Sequence, residues 1–138
     1  MELTEKDARQ YSPLALAFLG DSVYELKIRS AIVERANMAV KNLHTAKIKL
    51  VCAPFQARAA ERLLETLTEE EHAVFMRGRN ATGGTVPHNA TPAEYRKATG
   101  LEAVFGYLHL TGNTERLETL FSAIWDMQEE ILQNLNKE

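Results

Sequence analysis

Apolar residues return three and four positions apart in every long segment of this chain, and nowhere do they alternate with polar ones at period two. That pattern predicts helices that each bury a face, and no strand. The first helix is expected from about Pro13 to Arg35, with proline tolerated in its first turn. The next segment, Ala39 to Leu67, contains Pro54 and reads as two helices or one kinked helix. "TEEE" at Thr68 to Glu71 is a capping box that opens a helix to about Asn80. "TGGTVPHNA", rich in Gly and Pro, predicts a loop. "TPAE" at Thr91 to Glu94 is a second capping box, and its helix runs to about Thr111 and stops at Gly112. A last helix covers about Thr114 to Leu135. No internal repeat, linker or low-complexity stretch interrupts the series. The expectation is an all-α single domain.

Composition agrees with that reading. With 138 residues, 45% of them hydrophobic and 25% charged, the chain can bury one real core and is not a disordered segment. No apolar run approaches the roughly 20 residues of a membrane span, and the charged start "MELTEKDARQ" lacks a signal-peptide core, so no membrane is expected. Cys52 has no partner for a disulfide, which points to a reducing cytoplasm. The net charge of −3 argues only weakly against nucleic acid, because the charge is segregated. Between Lys27 and Ala60 seven Lys and Arg face Glu34 alone, and between His72 and Gly100 four bases meet only Glu94. Such segregation can build a basic face on an acidic protein, and two solvated helix faces would also account for it.

The sharpest local feature is Asp21 in "LALAFLGDSVYELKI". An ionised carboxylate on an apolar helix stripe is costly without compensation. Gly20 beside it costs up to about 1 kcal/mol of helix stability against alanine, which suggests that something approaches the backbone closely. The arrangement recurs in "YRKATGLEAVFGYLHL", where Glu102 follows Gly100 and precedes Gly106 inside an apolar run. Two carboxylates on two apolar helices, each near a glycine, predict helices that cross closely with the acids meeting. Paired carboxylates of this kind ligate hard cations such as Mg²⁺. Ion pairs with Arg77, Arg79 or Lys97 that merely tie helices together would leave the same pattern.

Other constellations carry less. His44, His72, His88 and His109 lie too far apart for a zinc site. Cys52 sits in an apolar segment as a packing residue. "GRNATGG" lacks the Lys-Ser/Thr of a phosphate-binding loop. Phe105, Tyr107, Phe121 and Trp125 recur at the helical spacing of a core.

"FLGDS" (Phe18 to Ser22) resembles the signature of the ribonuclease III catalytic domain, an all-α endonuclease fold acting on double-stranded RNA. "TGLEAVFGYL" (Thr99 to Leu108) is similar to that family's second acidic motif, at the matching distance along the chain. "RGRNA", the loop after it and "YRKAT" resemble the short bacterial Mini-ribonuclease III branch. The likeness runs from about Ser12 to Leu132. Carried over residue by residue, it implies Asp21 and Glu102 as the catalytic carboxylates and metal ligands, with Glu25, one turn past Asp21, as an auxiliary ligand. Positions that are acidic in full-length ribonucleases III are Leu14, Ala17, Thr99 and, near the next helix, Val40 here. The site is therefore expected to depend on fewer protein ligands. The double-stranded-RNA-binding domain that usually follows is not expected in this chain.

The resemblance further implies Mg²⁺, with Mn²⁺ as a substitute, and hydrolysis leaving 5′-phosphate and 3′-hydroxyl ends. It implies a symmetric homodimer with Phe18 at the interface and one site for each strand of the duplex. It also implies precursor 23S ribosomal RNA as target, with a ribosomal protein or the assembling ribosome as partner. Arg77, Arg79, Asn80, Arg96 and Lys97 are the expected RNA contacts, with Lys47 and Lys49 second. A catalytically silent scaffold of the same fold that binds RNA or the ribosome is the alternative. A plain helical dimerisation module is a third reading, and it leaves the two carboxylates unexplained.

Overall fold

A computed structural model describes residues 2–81 and 86–137; Thr82 to Thr85, in the expected loop, lie outside the described residues. Among the described residues seven helices follow one another: α1 (Glu5–Arg9), α2 (Pro13–Arg35), α3 (Val40–Val51), α4 (Ala53–Leu63), α5 (Glu69–Asn80), α6 (Pro92–Leu110) and α7 (Thr114–Asn136), with a 3₁₀ turn at Leu64–Thr66. No strand occurs among the described residues. Both capping boxes close as expected, Thr68 with Glu71 and Thr91 with Glu94. Gly112, at φ +73°, ends α6 in the left-handed conformation that a residue without a side chain adopts at no cost.

The apolar run in α6 has a structural consequence. A helix that is apolar all round must be surrounded, and α6 is buried at Ala98 to Leu101 and again from Ala103 to Leu108. It forms the axis of the domain, with α2, α4, α5 and α7 packed about it. From α2 comes a stripe one turn apart (Leu16, Gly20, Tyr24, Ile28 and Ile32), and α7 contributes Leu117, Leu120, Ile124 and Ile131. Tyr24 meets Phe105 edge to face, with ring centroids 5.6 Å apart.

Pro54 resolves the choice between one kinked helix and two. The chain breaks at Cys52, whose backbone is extended, and α4 restarts with proline in its first turn. A break strands the last carbonyls of α3, and in a buried place they must find donors. The Tyr24 hydroxyl donates to the Leu50 carbonyl at 2.6 Å, and the Gln56 amide donates to that of Val51 at 3.0 Å. Burial pushes the Tyr24 phenol well above its ordinary range, so it keeps the proton it donates.

Glu71 does more than cap. It is 2% exposed, and both of its oxygens accept from Arg116 (2.8 and 2.9 Å), which also donates to the Thr66 carbonyl. α7 is thereby tied to the start of α5. Replacing Arg116 with methionine strands a buried carboxylate. The expected loss is about 2–3 kcal/mol, below the 3–5 of a fully buried pair because the guanidinium reaches solvent. A urea midpoint equal to that of the unaltered protein would refute this.

Candidate active site

The site is built where α2 crosses α6. A side-chain carbon added at Gly20 would lie 1.6 Å from the carbonyl oxygen of Glu102, and one at Gly106 would lie 2.0 Å from that of Leu16. The two backbones touch, and only glycine fits at either position. This contact sets Asp21, the residue after Gly20, against Glu102. The two carboxyls lie within hydrogen-bonding reach of each other, so the charge of Asp21 adds to burial in disfavouring the ionised form of Glu102.

The two carboxylates are not equivalent. Asp21 is exposed, which corrects its expected placement within a buried stripe. Gly20 takes the contact, and the next residue lies about 100° further round the helix, at the rim. The apolar neighbours Leu14 and Phe18 are exposed as well. Glu102 is the one set into the protein. Burial first, then the charge of Asp21 and the hydrogen bond with it, push the Glu102 carboxyl up to about 8, while hydrogen bonding with Gln56 pulls the other way.

Gln56 escaped the reading of the sequence. It comes from α4, is 2% exposed, and its Oε1 has no hydrogen-bond partner. The available signal was a long polar side chain in the small and apolar run "CAPFQARAA". That run places a glutamine inside the protein but does not say what it faces.

Other expected residues are placed differently. Glu25 is not gathered with the pair, because no group of three or more His, Cys, Asp or Glu able to hold a metal exists among the described residues. It lines the same groove as Asp21 but pairs with Arg29 at 2.8 Å, one turn along α2. Arg77 is occupied by the carbonyls of Arg9 and Tyr11 and so ties the chain between α1 and α2 to α5. Lys97 pairs with Glu61 at 2.6 Å. Arg79 holds Asn80 by its side-chain oxygen at the end of α5. Arg96 and Lys49 are exposed, and Lys47 is half-buried beside Arg29 and His44. Phe18 is 83% exposed, and Leu26, two turns on, is 67% exposed.

Residues 14–113, which hold both carboxylates and the glycine crossing, match the model of the ribonuclease III domain. The chain belongs to the ribonuclease III family. It is similar to Mini-ribonuclease 3 of Clostridium tetani, at 41% identity over 96% of this chain and 89% of that one. It is 44% identical to Mini-ribonuclease 3 of Symbiobacterium thermophilum, over 85% of this chain and 90% of the relative. A crystal structure of a Fusobacterium nucleatum protein superposes with a TM-score of 0.80, at 31% identity, covering 87% of this chain and 96% of that one. As a ribonuclease III family member of the Mini-ribonuclease III branch, the chain is an endoribonuclease.

Within this ribonuclease III domain the donor set suits a hard divalent cation. Two carboxylate groups meet, and Glu102 is in contact with the Gln56 amide, whose own oxygen has no partner in the protein; carboxylate and amide oxygens are the donors such a cation takes. At the positions where the resemblance would place further acids, Ala17 and Thr99 are buried, and the Thr99 hydroxyl is satisfied by the Tyr95 carbonyl at 3.0 Å.

Proposed function

We propose that this chain is a Mg²⁺-dependent endoribonuclease that cuts both strands of an RNA duplex as a homodimer, and that it matures the ends of precursor 23S ribosomal RNA. The observation that carries the reading is the pairing of Asp21 with Glu102 across the Gly20–Gly106 contact in a ribonuclease III chain. Neither helix needs that pair for its own stability, and the Glu102 carboxyl, raised to about 8 by burial first and then by the charge of Asp21, marks a cost that a divalent cation would relieve. Mg²⁺, or Mn²⁺ in its stead, would lower the pKa of a bound water and neutralise charge on the scissile phosphate. Asp21, exposed at the rim, and Glu102, set deeper, would together hold the ion. The helix crossing fixes their separation without loop motion.

The homodimer rests on the exposed apolar face of α2. A phenylalanine 83% exposed, continued by Leu26, is the kind of patch that a partner covers. Arg79, Asn80, Arg96, Lys47 and Lys49 are the residues open to phosphates and 2′-hydroxyls. Contacts made by these cations to phosphates imply an affinity that is modest and falls as salt rises, which suits an enzyme helped by its context. The motifs shared with the Mini-ribonuclease III branch carry the reading of ribosomal RNA as target and of a ribosomal protein or the assembling ribosome as helper, and the lone Cys52 carries that of the cytoplasm. No helix among the described residues is long and apolar enough to cross a membrane.

A labelled RNA duplex incubated with the protein, with and without Mg²⁺, tests the reading. Cleavage on both strands with 5′-phosphate ends, lost on chelation, is expected. Binding without metal-dependent cleavage would instead identify a silent scaffold of the same fold. Sedimentation of the same preparation as a monomer would remove the dimer.

A further inference from the structure

Gln56 is the buried polar group that the fold leaves half-used. Its Nε2 donates to the Val51 carbonyl at 3.0 Å and its side chain hydrogen-bonds with Glu102, yet Oε1 accepts from nothing. A buried amide oxygen without a donor is costly, and the bond to Val51 that caps α3 does not account for it. It is the one buried side-chain oxygen or nitrogen among the described residues known to lack a partner, and it belongs to the residue that touches the active-site glutamate. We infer that Gln56 is a positioning residue of the metal site: its N–H groups span Val51 and Glu102, and its Oε1 accepts from the hydrated divalent cation that Asp21 and Glu102 hold. A neutral oxygen then stands in a site where only two carboxylates meet. The amide also fixes which face of the Glu102 carboxylate remains for the cation, in the way that outer groups orient metal ligands. This inference rests on the metal reading above and extends it to a residue on a third helix.

Metal affinity measured without RNA, by calorimetric titration with Mn²⁺, tests the inference together with thermal melts in chelator. Two variants separate the roles of Gln56. Gln56→Met removes both donor and acceptor, whereas Gln56→Glu removes the donor to Val51 and keeps an oxygen. A residue that only caps α3 would lower the melting temperature in both variants and leave Mn²⁺ affinity unchanged in both. The expected result is a loss of affinity of about tenfold or more in Gln56→Met, with wild-type or tighter affinity in Gln56→Glu. Equal affinity in Gln56→Met and wild type overturns the inference and leaves the metal reading intact. Absence of Mn²⁺ binding by the wild type overturns both. Should Gln56→Met fail to fold, the wild type still decides. Of the four glutamine side-chain amide pairs, the one missing from Gln56→Glu must shift on Mg²⁺ addition, and its standing still refutes the proposal.

Discussion

Glu102→Gln is expected to abolish cleavage and, in the same molecule, to make the metal-free protein harder to unfold at pH 8. The loss of activity follows from removing one of only two carboxylates. In the proposed role the two would hold a cation on which several kcal/mol of charge stabilisation at the phosphate depend, so a fall of about a thousandfold or more is expected. The gain in stability follows from linkage. Burial and the neighbouring Asp21 raise the Glu102 carboxyl from 4.5 to about 8. Between those values the folded protein keeps a proton that the unfolded chain has lost. Stability therefore falls as pH rises from about 5 to 8, and above 8 the folded state carries the full cost of the ionised pair. Since Glu102 is only partly buried by surface area, solvent screening reduces that cost to about 1–3 kcal/mol. Glutamine carries no such charge. Melts in chelator at pH 5 and pH 8 should show the variant close to wild type at the first and several degrees above it at the second. Asp21→Asn should also lose cleavage, because the proposed cation would lose its ligand at the rim. A wild-type rate in both variants would dismiss the site, and a variant less stable than wild type at pH 8 would dismiss the electrostatic account of it.

Gly20→Ala and Gly106→Ala should each destabilise the fold by about 4 kcal/mol or more, against a total of 5–15 for a domain of this kind. Helix propensity predicts the opposite, since alanine in a helix interior is better than glycine by about 1 kcal/mol. The sign is therefore diagnostic. The new methyl would lie 1.6 Å from the Glu102 carbonyl oxygen in one case and 2.0 Å from the Leu16 carbonyl oxygen in the other. These obstacles are backbone atoms, and no rotamer change removes them. The helices must move apart, which opens the packing of Leu16, Tyr24 and Phe105 and separates Asp21 from Glu102. Urea midpoints measure the effect where the variants remain soluble. Either alanine variant melting at or above the wild-type temperature would contradict the contact. The two losses should not add, because one separation of the helices relieves both clashes.

The sequence by itself determined the helices and their order. Spacing of apolar residues, two capping boxes, Pro13, Pro54 and Gly112 are local signals, and each acts within one or two turns of the residues that carry it. For that reason the long elements were legible to within a few residues, except that Pro54 left open whether Ala39 to Leu67 holds one kinked helix or the two that the fold shows. Gly20 on one helix and Gly100 and Gly106 on the other also foretold a close crossing, without saying which glycines would meet. The tertiary structure alone decided what each side chain meets. The five-residue α1 has no apolar period to read and is held by the rest of the domain, through buried Ala8, the Leu3–Leu110 backbone bond and Arg77. Asp21 carries the same letters around it whether it is buried or at a rim, and the angle at Gly20 put it at the rim. Arg77 and Lys97 look like free cations in the chain, yet the fold supplies both with partners. Gln56 is 46 residues before Glu102 in the chain, and only the packing of α4 on α6 makes them neighbours. A local pattern specifies which face of a helix is apolar. Which polar groups are left facing one another across a crossing depends on the rotation and approach of two helices, and here the absence of two side chains at Gly20 and Gly106 sets both.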